Sequence, residues 1–96
     1  MKDTPLSYAH GTSTTPLVSR TIGDLLDDVA REYAANEAIV SVFEDRRWAY
    51  GQFREQVNLL ARGLMALGVQ KGDRVGIWST NCAAWVFTQF ATAKIG

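Results

Sequence analysis

Residues 82–95 constrain this chain more than any other stretch, because Lys94 is their only charge. Trp85, Val86, Phe87, Phe90, Ala91, Ala93 and Ile95 surround a helix axis almost completely. A helix that is apolar all round is normally buried on every side. At this length it spans only about 21 Å, too short for a bilayer core. It needs protein around it, yet a chain of 96 residues buries only about 60–65% of its unfolded surface. The preceding residues make the same demand. Arg74-Val75-Gly76-Ile77-Trp78-Ser79 reads as a short strand with Val75 and Ile77 on one face. Thr80-Asn81 follows, and Asn81 is placed to cap the helix. Strand then helix, stopped at Gly96, is the first two-thirds of a βαβ unit without its closing parallel strand. The expectation is a truncated piece of a larger α/β protein.

Upstream, residues 1–20 form an extended leader without periodicity, with Gly11-Thr12-Ser13-Thr14-Thr15-Pro16 as a polar cluster. Residues 21–96 form the incomplete domain. Thr21 reads as an N-cap, with Asp24 three residues later. Ile22, Leu25, Leu26, Val29 and Tyr33 then predict a helix over about 22–35. Asp27, Asp28, Arg31 and Glu32 fall on its other face, where Asp27 and Arg31 stand four apart and can pair. Ala38 to Phe43 and Arg47 to Tyr50 predict a hairpin turning at Glu44-Asp45-Arg46. Phe53, Val57, Leu60, Leu64 and Leu67 mark a second helix, and Gly68 stands at its C-cap. The expected order is helix, β-hairpin, helix, strand, helix.

The chemistry that composition excludes is broad. Ten Lys and Arg balance ten Asp and Glu, so no basic excess points to nucleic acid. One cysteine and one histidine support neither a disulfide framework nor a four-ligand structural zinc site. No run approaches a transmembrane span, and Met1 to Pro5 lacks the apolar stretch of a secretory signal, so a cytoplasmic setting is expected. The acidic face of the first helix is better read as solvated than as a metal site. Gly11 to Pro16 resembles a phosphate cradle only superficially, since Pro16 removes an N–H and no cation accompanies the hydroxyls. His10 has no evident partner. Cys82 falls at a helix start, a position used by reactive cysteines, but has no histidine motif near it. No catalytic, cofactor-binding or metal-ligating residue is assigned.

One resemblance is specific. Trp48-Ala49-Tyr50-Gly51-Gln52-Phe53, Ala61-Arg62-Gly63-Leu64, Leu67-Gly68-Val69, Lys71-Gly72-Asp73-Arg74-Val75, Asn81, Trp85 and Gln89 to Gly96 occur in one order and spacing. This set resembles the N-terminal stretch of AMP-forming acyl-CoA synthetases, in the adenylate-forming ligase superfamily. Ser7-Tyr8-Ala9-His10-Gly11 and Thr21-Ile22-Gly23-Asp24 are similar to its medium- to long-chain fatty-acid branch. Two positions depart. Ala49 stands where the family usually has a capping Thr, and Ala84 where it often has an acid. The resemblance implies an enzyme that uses ATP, Mg²⁺ and CoA to convert a fatty acid to acyl-AMP and then to a thioester. The family's phosphate loop, acidic motifs and lysine lie beyond residue 96. The chain alone is therefore expected to be inactive, to bind none of these ligands, and to be partly molten or self-associated. Two other readings stay open. One is a free-standing interaction module that uses the apolar 82–95 helix. The other is a different α/β enzyme whose catalytic part is missing.

Overall fold

Thr21 opens the first helix of a computed structural model that describes Ser7, Ala9 and residues 11–96. Its backbone is extended, and its Oγ1 accepts the Asp24 N–H at 3.1 Å. Helix α1 runs Ile22–Glu32, shorter than its apolar pattern predicts. Tyr33 leaves the helical region at φ −118° and ψ 35°, and a turn closes through the Asn36 N–H to the Tyr33 carbonyl at 2.9 Å. Of the expected apolar stripe, Leu26 is buried and Ile22, Leu25 and Tyr33 stay exposed. The stripe is wider than the surface available to cover it.

Strands β1 (Glu37–Ser41) and β2 (Arg46–Ala49) pair antiparallel, Ile39 opposite Trp48 and Val40 opposite Arg47, with an irregularity between Glu37 and Ile39. The turn occupies 42–45, and Asp45 takes φ +53°, a left-handed conformation that a short polar side chain tolerates. Tyr50 was expected in the second strand. It is instead the first residue of α2 (Tyr50–Ala66). At Ala49 the backbone is extended as an N-cap requires, but a methyl group accepts nothing. Gln52 supplies half of a capping box, its Oε1 accepting the Ala49 N–H at 2.9 Å. The other end of α2 closes as a Schellman motif. Gly68 takes φ +97°, its N–H reaches the Met65 carbonyl at 3.0 Å, and the Val69 N–H reaches Leu64 at 3.1 Å.

Helix α3 (Ala83–Ile95) lies against α2 and α1. The core forms where the hairpin, α2 and α3 meet. Trp48 meets Phe87 edge-on at 5.2 Å, and Phe53 meets Phe90 edge-on at 5.4 Å, the arrangement that ring quadrupoles favour. Val57 is completely buried among them, a burial that stabilises by about 1.5–3 kcal/mol. Val86, Phe87, Phe90 and Ile95 pack against this cluster, so α3 directs most of its large apolar side chains inward.

The expected strand over 74–79 is not formed. Among the described residues the sheet contains β1 and β2 alone, and 74–79 has no ladder. A strand is held by hydrogen bonds to a neighbour, and here none is adjacent. Trp78 is fully solvent-exposed as a result. The segment is nonetheless framed like a crossover unit. The Gly72 N–H donates to the Gly96 carbonyl at 2.9 Å, which sets the end of α3 beside the start of 73–79. The architecture is an α/β piece in the order helix, hairpin, helix, helix.

Candidate functional site

Among the described residues a polar cluster sits where α1, α2 and α3 converge. The apolar stripe of α1 sets Asp27 at the edge of its packed face, and there it meets cations from both other helices. Its Oδ1 accepts Lys94 Nζ of α3 at 2.6 Å and Arg54 Nε of α2 at 3.0 Å. Lys94 Nζ also donates to Asn58 Oδ1 of α2 at 2.6 Å. The Lys94 side chain is only 15% exposed and that of Asp27 31%. The hydrogen bond from Lys94, with the Lys94 and Arg54 charges, holds the Asp27 carboxyl below its ordinary value of 3.8, against the opposing pull of partial burial. Gly23 permits this approach. A Cβ there would stand 2.9 Å from Lys94 Cγ and 3.4 Å from its Cα. The pairing expected between Asp27 and Arg31 does not occur. Arg31 and Arg20 both bind Asp28 instead, each at 2.7 Å.

A groove of about 460 Å³ opens beside this junction, lined by Thr21, Asp24, Asp27, Lys71, Lys94 and Gly96. Its chemistry is limited. Asp27 is held there by two cations, Lys94 and Arg54, so its carboxylate is engaged in the junction. The junction joins α1, α2 and α3.

A second polar tie was not legible from local sequence. Glu44, at the hairpin turn, accepts Ser41 Oγ at 2.6 Å and the Ala83 backbone N–H at 3.0 Å on the same Oε2. The Ser41 bond first, and the Ala83 N–H second, hold its carboxyl below the ordinary value of 4.5. Glu44 thus caps α3 from outside the helix, at the end where the dipole favours an anion. The cap expected from Asn81 is absent. Cys82 occupies the N-cap position, with no side-chain bond to the helix.

The remaining candidates stay apart. Cys82 Sγ lies 3.7 Å from Ser79 Oγ and is partly exposed. His10 lies outside the described residues. The Gly11 to Pro16 cluster is exposed, with a side-chain bond running from the Thr15 N–H to Ser13 Oγ at 3.1 Å. Among the described residues, no group of three or more His, Cys, Asp or Glu side chains converges as a metal site would need. No helix among them is long and apolar enough to cross a membrane.

Comparison with known proteins adds what the geometry alone does not. Residues 26–96 match the model of a family described as AMP-binding enzyme. The chain is 42% identical over 91 residues to the medium-chain acyl-CoA ligase ACSF2, mitochondrial, of Rattus norvegicus, covering 95% of this chain and 15% of that protein. It is 40% identical over 91 residues to the acyl-CoA ligase SID4 of Ajellomyces capsulatus, with the same coverage of 95% and 15%. The fold superposes on a Mycobacterium tuberculosis fatty acyl CoA synthetase with a TM-score of 0.76 and 33% identity, over 79% of this chain and 15% of that one. The chain thus spans about 15% of the length of the relatives it matches.

Proposed function

Since the chain belongs to the AMP-binding enzyme family, we propose that it is the N-terminal scaffold of an AMP-forming fatty acyl-CoA synthetase. The observation that carries this reading is the 42% identity to an acyl-CoA ligase across 95% of the chain. In the reaction proposed for the whole polypeptide, a carboxylate oxygen attacks the α-phosphate of ATP. Acyl-AMP forms and pyrophosphate leaves. The CoA thiol then attacks the acyl carbon, losing its proton, and AMP departs with the C–O bond electrons. A Mg²⁺ ion would neutralise phosphate charge in the first step. No residue of this chain is assigned to ATP, Mg²⁺ or CoA.

The part proposed for these residues is mechanical. The Asp27–Lys94 pair and the Schellman-closed α2 hold α3 in place, and α3 with its preceding segment offers a frame for further sheet. Isolated from that setting, the chain is inactive and associates with itself. The fully exposed Trp78, with Phe43 98% and Leu67 83% exposed, supports the second point. A cytoplasmic setting belongs to the same proposal, against the mitochondrial name of the rat relative, and cell fractionation decides between them. The free-standing module, which would bind through the apolar 82–95 helix, has less support because Val86, Phe87, Phe90 and Ile95 of that helix pack against the core.

The test supplies the complete polypeptide with ATP, Mg²⁺, CoA and a panel of short- to long-chain fatty acids. Acid-dependent AMP release matched by acyl-CoA formation is the expected result. AMP release with no thioester, whatever the acid, overturns the reading.

A further inference from the structure

We draw no further inference here: the strongest candidate, the apolar groove of about 340 Å³ between α1 and the α2–α3 layer, lined by Ile22, Leu25, Val29, Ile39, Tyr50 and Phe90, is an unpartnered face, and nothing in the structure shows what covers it.

Discussion

Asp27 and Lys94, 67 positions apart, meet at 2.6 Å and close α1 onto α3. Arg54 and Asn58 of α2 complete the contact, so one junction ties α1, α2 and α3. A long-range bond of this kind converts local helices into a fixed layer. It also gives that layer a dependence on charge that an all-apolar contact would lack.

Replacing Asp27 with Asn should therefore destabilise the complete polypeptide by about 1.5–3 kcal/mol, the range for hydrogen bonds to charged groups. Lys94→Met should cost less in the Asp27→Asn background than it does alone, because the two side chains share one interaction. Urea midpoints of the four proteins in this cycle measure the coupling. Strictly additive costs would mean that the pair is decorative.

The same pair sets a pH dependence. The folded carboxyl titrates below its ordinary value of 3.8, so its contribution is fully present above that pH. As pH falls through the lowered folded value, Asp27 is protonated and the contribution is lost. The stability of Asp27→Asn should fall less steeply than that of the parent on this acid limb. Parallel acid limbs for the two proteins contradict the assignment.

Glu44→Ala should loosen the first turn of α3, since the Ala83 N–H then faces water without its acceptor. Glu44→Gln keeps an acceptor and should be milder. Amide hydrogen exchange at Ala83 reads the difference directly: faster for Ala, intermediate for Gln. Equal protection in all three proteins removes Glu44 as the cap.

Gly23→Val should separate α1 from α3, because even a Cβ would come within 2.9 Å of Lys94. Overpacking of this sort costs about 1–3 kcal/mol. Gly63→Ala is the control, with nothing within 4 Å of its Cβ, and on a helix it should be neutral or stabilising. Thermal midpoints of the two variants should therefore move in different directions or by clearly different amounts.

Ala49→Thr should stabilise. The residue already has the extended backbone of an N-cap, with φ −72° and ψ 163°, and lacks only a side-chain oxygen. A gain of about 1 kcal/mol is expected from the added bond. A midpoint that stays put would show that the half box from Gln52 already satisfies this end.

These residues also show what a sequence can disclose. Helix α2 was legible because Phe53, Val57, Leu60 and Leu64 recur at helical spacing and Gly68 supplies the positive φ that ends it, although Leu67, the last of that stripe, lies past the helix and is exposed. The cap at Thr21 was legible for the same local reason. Asp27 was misplaced on a solvated face because periodicity reports polarity and not the cation brought from 67 residues away. Glu44 was read as a turn residue, and its partner N–H lies 39 positions along the chain. The 74–79 segment has a strand's composition, but a strand exists only with a neighbour to bond. The family was legible in the ordered set of short motifs. No catalytic residue was assigned from the sequence, and His10, one of the side chains weighed there, lies outside the described residues.

Acid-dependent exchange of pyrophosphate into ATP tests the scaffold assignment most directly, run side by side on the 96-residue chain and on the complete polypeptide. The account predicts exchange above background for the complete polypeptide, and background alone for the 96-residue chain at equal concentration. Exchange by the short chain that survives repurification would contradict it, and so would a complete polypeptide that shows none with any fatty acid.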